Sequence, residues 1–313
     1  MSILADRDHG GGLDAAIARF GGARSDWIDL STGINPLPYP IKGITPQSWT
    51  ALPDQAAQTR LEQAARRFWN VPKEAAVLAA PGASALIARI PTLAASGPVR
   101  IDRPTYNEHA AAFQNAHWTL SETQHKARVI VHPNNPDGTC WTGTDHSDTE
   151  LLIIDESFCD VMPEASHMAL ATRPGVILLK SFGKFWGLAG LRLGFAIGDP
   201  ALIARLAEML GPWPVSGPAL DIGHTALTDP DWAQDTRARL TDDAARLDGL
   251  MAKHADLVGG TTLFRLYHVD NAQAWQTRLA HHHIWSRIFP YSQNWLRLGL
   301  PHPDRWSQLE TAL

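Results

Sequence analysis

Cysteine is almost missing from the 313-residue chain: only Cys140 and Cys159 occur, too few for a disulfide framework and wrongly spaced for a paired metal site. Basic charge is also short, since 27 Lys and Arg face 32 Asp and Glu for a formal net charge of −5. That balance argues against a nucleic-acid groove or a polybasic membrane surface, both of which need clustered cations. No apolar run approaches the roughly 18 residues that span a bilayer, and Met1 to Gly12 lacks the basic-then-apolar pattern of an export signal. No internal repeat or low-complexity tract stands out beyond Gly10-Gly11-Gly12 and His281-His282-His283. The glycine run follows no strand and makes a poor dinucleotide loop. The three imidazoles would point about 100° apart on a helix and so cannot converge on one metal. The expectation is a cytoplasmic protein acting on small molecules, with no metal, nucleic-acid or membrane partner.

What is present is a chain 44% hydrophobic and 19% charged, enough for one large core and a smaller second domain. Short apolar runs recur at Val99 to Asp102, Val129 to His132, Leu151 to Asp155, Val176 to Ser181 and Leu193 to Ile197, separated by helical or loop segments. That alternation predicts an α/β fold with a mostly parallel sheet flanked by helices. Thr59 to Phe68 and Ser84 to Leu93 read as helices, the second entered from Pro81-Gly82. After Asp199-Pro200 come helical stretches at Ala201 to Leu210 and Asp231 to His254, then strand-like pieces at Leu263 to Tyr267 and Trp295 to Leu298. The expected organisation is an N-terminal arm (1–40), a large domain (41–200) and a smaller α+β C-terminal domain (201–313).

The chemistry concentrates in Ser181-Phe182-Gly183-Lys184-Phe185-Trp186-Gly187-Leu188-Ala189-Gly190-Leu191-Arg192, a glycine-dense segment that begins at a strand end. A lysine there can form an imine with an aldehyde, while Ser181 and Arg192 offer a hydroxyl and a bidentate cation to a phosphate dianion. Those are the needs of pyridoxal 5′-phosphate (PLP). Lys180 is an equal candidate by residue type, but the spacing to Ser181 and Arg192 favours Lys184.

The segment resembles the lysine loop of fold-type I, aminotransferase-like PLP enzymes, and further motifs follow in the family's order. His132-Pro133-Asn134-Asn135-Pro136-Asp137-Gly138 is similar to the turn whose Asn bonds the cofactor's phenolic oxygen, which implies that role for Asn135. Asp155 matches the acid that keeps the pyridine nitrogen protonated and so makes the ring an electron sink. Gly82, Ala83 and Ser84 resemble the phosphate-cradling helix entry, and Tyr106 the aromatic that stacks on the ring. Near the C-terminus, Asn294-Trp295-Leu296-Arg297 resembles the strand whose Arg grips the substrate carboxylate, though Arg265 and Arg287 lie nearby in sequence. Fold-type I homologues also imply a homodimer with its site at the interface.

Asp8-His9-Gly10-Gly11-Gly12 and Leu30-Ser31-Thr32-Gly33-Ile34-Asn35-Pro36 resemble the opening of L-threonine-O-3-phosphate decarboxylases of cobalamin biosynthesis. The resemblance implies an amino-acid phosphate as substrate, loss of its carboxylate as CO₂, and protonation of Cα by Lys184. It also implies substrate contacts from His9, Gly10, Thr32, Gly33, Asn35, Arg287 and Arg297. A histidinol-phosphate-type aminotransferase is the alternative within the family. Two residues depart from the wider pattern: Phe158 stands where many relatives have a Tyr that bonds the phenolic oxygen, and Leu52 where a partner-subunit Tyr commonly reaches the phosphate.

Ser181-x-x-Lys184 also matches the nucleophile motif of penicillin-binding proteins and class A β-lactamases. Their Ser-Asp-Asn and Lys-Thr-Gly triplets do not occur. A regulator on the same fold would add a basic helix-turn-helix segment, and none is evident.

Overall fold

The computed structural model describes residues 8–143 and 149–313, so the part of the N-terminal reading that concerns residues 1–7 lies outside it. In chain order the strands are β1 (Ile28–Asp29), β2 (Ala76–Ala80), β3 (Pro98–Ile101), β4 (Thr119–Leu120), β5 (Ala127–Val131), β6 (Leu151–Asp155), β7 (Val176–Ser181), β8 (Gly194–Gly198), β9 (Asp256–Thr261), β10 (Phe264–His268), β11 (Ile284–Trp285), β12 (Arg287–Phe289) and β13 (Ser292–Gly299).

The chain divides into two compact units. The larger, Pro38–Asn135 with Thr139–Gln234, holds a seven-stranded sheet in the order β2-β8-β7-β6-β5-β3-β4. Strands β4, β3, β5, β6 and β7 run parallel, while β8 reverses and pairs antiparallel with both β7 and β2. Every residue of β6 is buried, as are the first five of β7. Continuous apolar runs such as Leu151-Leu152-Ile153-Ile154 are what a parallel sheet covered on both faces requires. On one face Leu78, Val99, Ile101, Val129, Ile153, Ile177 and Leu179 pack with Phe113 and Trp118. The helix expected over Ser84 to Leu93 is interrupted: Ala83–Ile87 is α-helical and Ile90–Leu93 is a 3-10 turn. Pro91 supplies the reason, because it lacks an N–H and disfavours helical geometry in the residue before it.

The smaller unit contains the N-terminal residues through Leu37, Pro136–Gly138 and Asp235–Leu313. Its antiparallel sheet has the order β12-β13-β10-β9, and β1 pairs in parallel with β11. Residues 8–37 of the expected arm are thus built into this unit, where Trp27, Ile28 and Leu30 are buried, while 38–40 fall in the larger one. Residues 201–234, expected in the C-terminal domain, pack instead with the large unit. They include most of the helix Pro200–Leu210 and all of Gly217–Leu227, the latter capped by Ser216 accepting from the Ala219 N–H. No helix among the described residues is long and apolar enough to cross a membrane.

Candidate active site

The carboxyl ends of the parallel strands of an open α/β sheet are where its loops can gather functional groups. Here β5, β6 and β7 end at Val131, Asp155 and Ser181, and Val131 is in register with Asp155. A cleft opens at that edge, lined by Ala83, Ser84, Tyr106, Asn135, Asp155, Phe158, Ser181, Lys184 and Arg192 among others. All of these belong to the large unit. Of the expected cofactor residues, only Gly82 is not part of the lining.

Gly82 acts from behind the wall. A Cβ there would come within 2.6 Å of Arg192 Nη2, and its φ of +85° is one that side chains rarely adopt. Gly194 has a similar role, since a Cβ on it would meet the Ala83 nitrogen at 2.4 Å. The helix start, β8 and Arg192 can approach each other only because both positions lack side chains.

Lys184 projects from a loop anchored by aromatic packing. Phe182, Phe185 and Trp186 are fully buried, and Trp186 stacks on Phe182 and on Trp232 with centroids 5.0 and 5.3 Å apart. The Lys184 carbonyl accepts from the Gly187 N–H at 3.1 Å. Its Nζ lies 5.2 Å from the centre of the Phe158 ring. Lys180 has the opposite environment: it is buried, with Nζ 2.7 Å from Glu156 Oε2 and 3.4 Å from Asp160 Oδ1. Asp160 in turn accepts from the indole N–H groups of Trp69 and Trp186. Burial opposes the Lys180 charge, but Glu156 and Asp160 outweigh it and hold the ammonium protonated. An amine so committed cannot act as a nucleophile, whereas Lys184 lines the cleft.

Asp155 Oδ1 accepts from the Ser157 hydroxyl at 2.5 Å and its N–H at 3.0 Å. Burial alone would raise the Asp155 pKa; the hydrogen bond and charge of His109, with the two bonds from Ser157, instead lower it below the usual carboxylate value. Each carboxylate oxygen has two lone pairs, so acceptor capacity remains for a group in the cleft. Nothing in the sequence singled out His109, which sits in the helix Asn107–Asn115 that follows Tyr106. Its position one turn beyond an expected cleft aromatic was the available signal.

Asn134 fixes the turn, donating to the Pro104 carbonyl at 3.0 Å and accepting from the Thr105 hydroxyl at 2.6 Å. Asn135 then forms part of the cleft wall. The donor set fits PLP: an amine for the aldehyde, an ionised acid for the ring nitrogen, an amide for the phenolic oxygen, and two hydroxyls with a guanidinium for the phosphate.

The expected substrate residues His9, Gly10, Thr32, Gly33, Asn35, Arg287 and Arg297 all belong to the smaller unit. Asn35 is buried, and its Oδ1 accepts from Arg239 Nη2 at 2.6 Å and the Leu37 N–H at 3.1 Å, a structural commitment. Arg265, an alternative anion binder by sequence, is held by Asp248 through Nε at 2.9 Å and Nη2 at 2.7 Å. Arg297 is buried and donates to the Ser31 carbonyl at 2.6 Å.

Fold and cleft define a class, and the comparisons agree: the profile for aminotransferase class I and II matches residues 114–308. The chain belongs to that family. It is 36% identical to threonine-phosphate decarboxylase of Pseudomonas aeruginosa over 98% of this chain and 97% of that one. It is likewise 36% identical to the protein of the same name from a Sinorhizobium species, over 95% and 93% of the two chains. The crystal structure of histidinol-phosphate aminotransferase from Sinorhizobium meliloti in complex with pyridoxal-5′-phosphate shares the fold with a TM-score of 0.80 at 17% identity, covering 97% of this chain and 93% of that one.

Proposed function

We propose that this protein is a PLP-dependent decarboxylase that converts L-threonine O-3-phosphate to (R)-1-amino-2-propanol O-phosphate for cobalamin biosynthesis, acting in the cytoplasm as a homodimer. The observation that carries the proposal is the convergence of Lys184, Asp155, Asn135, Ser181 and Arg192 on one cleft. The choice of reaction follows the two decarboxylase relatives that align along nearly the whole chain.

When bound, PLP supplies an aldehyde that condenses with amines and a ring that accepts an electron pair from the substrate Cα. Lys184 Nζ would provide the point of attachment for that aldehyde. Asp155, held ionised by His109 and Ser157, retains the proton on the ring nitrogen. The Asn135 amide donates to the phenolic oxygen, and Ser84, Ser181 and Arg192 hold the phosphate. Lys184, once displaced and carrying a proton taken from the substrate's ammonium group, would be the acid that protonates Cα after the carboxylate has left as CO₂. Phe158 brings no hydroxyl to the phenolic oxygen and so leaves that contact to Asn135. Arg297 and Arg287 would bind the anionic ends of the substrate with help from His9, Gly10, Thr32 and Gly33. Exposed Ile41, Trp49 and Leu52 support association with a second copy.

Purified protein with PLP should release CO₂ from L-threonine O-3-phosphate without a 2-oxo acid. Histidinol phosphate formed from glutamate and imidazole-acetol phosphate, with no CO₂ released, would replace this reading with the aminotransferase one.

A further inference from the structure

We infer that Asp8 is the resident counter-ion of a two-arginine anion site and acts as a specificity-determining residue: a substrate must carry an anion strong enough to displace the Asp8 carboxylate from Arg287. The inference rests on the proposed function, and deepens it by naming what selects phosphorylated substrates.

Arg287 of β12 and Arg297 of β13 are directly opposite each other in the antiparallel pair. Like charges at such positions repel, and here water screens them poorly, since the Arg287 side chain is 11% exposed and Arg297 4%. Two guanidiniums placed this way call for an anion. Asp8 provides one, with Oδ2 2.7 Å from Arg287 Nη2 and a side chain still 36% exposed. Asp29, another nearby carboxylate, is bound through Oδ1 to the N–H and hydroxyl of Ser31. Tyr291 stays a neutral phenol, its pKa raised to about 12 chiefly by burial. Asp8 is the carboxylate that pairs directly with Arg287, and a phosphate dianion in its place would bring more charge and three acceptor oxygens to the two guanidiniums.

The chain around Asp8 suits an anion that can withdraw. Gly11 is anchored, its N–H donating to Ser31 Oγ at 2.6 Å and its carbonyl accepting from Trp285 Nε1 at 3.0 Å. Gly10 lies against Ser31, where a Cβ would meet the Ser31 carbonyl oxygen at 2.4 Å, and that same carbonyl accepts from Arg297. The anchor thus keeps Asp8, three residues before Gly11, within reach of Arg287 while its carboxylate remains partly in water. A tethered competitor of this kind has a high effective concentration. An alcohol such as that of unphosphorylated L-threonine has no charge with which to displace it; a phosphate has.

The test is calorimetric titration of inorganic phosphate at low ionic strength, in saturating PLP so that the cofactor's own phosphate site is filled. Wild type, Asp8→Asn, Asp8→Ala, Arg287→Met and the Asp8→Asn/Arg287→Met double variant are compared. Both Asp8 variants should bind phosphate about tenfold more tightly than wild type, and Arg287→Met should abolish binding in either background. Equal or weaker binding by the Asp8 variants would mean that Asp8 merely orients Arg287 and overturns the inference. So would a gain that survives Arg287→Met, because it would reflect net charge alone, and so would an absence of phosphate binding in every protein. Release of CO₂ from L-threonine O-3-phosphate by the wild type is measured alongside, so that the inference and the decarboxylase reading can fail separately.

Discussion

His109 Nε2 donates to Asp155 Oδ2 across 2.8 Å, and the two side chains are only 2% and 3% exposed. Burial would push the carboxyl toward its neutral form, so the contact with His109 is the main reason that Asp155 stays ionised. Removing it in His109→Ala should raise the Asp155 pKa and lower kcat by about tenfold or more, one pKa unit being about 1.4 kcal/mol. The acidic limb of the pH–rate profile should move to higher pH. An unmoved limb would show that Ser157 suffices.

Lys180 and Lys184 should separate stability from chemistry. Lys180→Met leaves Glu156 and Asp160 buried without their cation and should cost roughly 3–5 kcal/mol in urea unfolding, while the visible absorbance of bound PLP persists. Lys184→Ala should unfold near the wild-type midpoint and lose that absorbance.

Acid should destabilise the fold in a defined window. Burial raises the Asp155 and Glu156 pKa values, but His109 and Ser157 for the first and Lys180, Ser166 and His167 for the second bring both below the ordinary range. The unfolded chain therefore binds more protons than the native one as pH falls past about 4. The stabilisation is complete above that point and is lost as pH drops through the lower native values. Urea midpoints measured at several pH values should show a shallower acid slope in Asp155→Asn than in the wild type.

The glycines behind the cleft should be intolerant of a methyl group. Gly194→Ala forces the Ala83 nitrogen or β8 to move and should weaken PLP binding by about tenfold or more, read from the half-saturation of the visible band. Ala at the solvent-facing Gly190, where a Cβ meets nothing within 4 Å, is the control.

The parts of this site readable in the sequence were those written contiguously. Strands β6 and β7 run between the bounds expected for them because unbroken apolar runs have sharp ends. Ser181, Lys184 and Arg192 share one loop whose spacing carries its own meaning. β2 was missed because Ala76-Val77-Leu78-Ala79-Ala80 is dominated by a residue with little strand preference. The helix Gly217–Leu227 was missed because it opens with Gly-Pro, which reads as a turn. The reversal of β8 was hidden because periodicity carries no strand direction. His109 and Asp155 are 46 positions apart, and the commitments of Lys180 to Glu156 and of Arg265 to Asp248 likewise depend on folding. Residues 1–40 read as an arm from their glycines and prolines, yet Leu30 is fully buried and β1 pairs with β11 across more than 250 positions.

The most direct test is to incubate the purified protein with PLP, reduce it with borohydride, digest it and map the modified peptide by mass spectrometry. The expected result is one pyridoxyl-phosphate adduct on Lys184. An adduct on Lys180, or none on the segment from Ser181 to Arg192, would contradict the assignment of this cleft as the cofactor site.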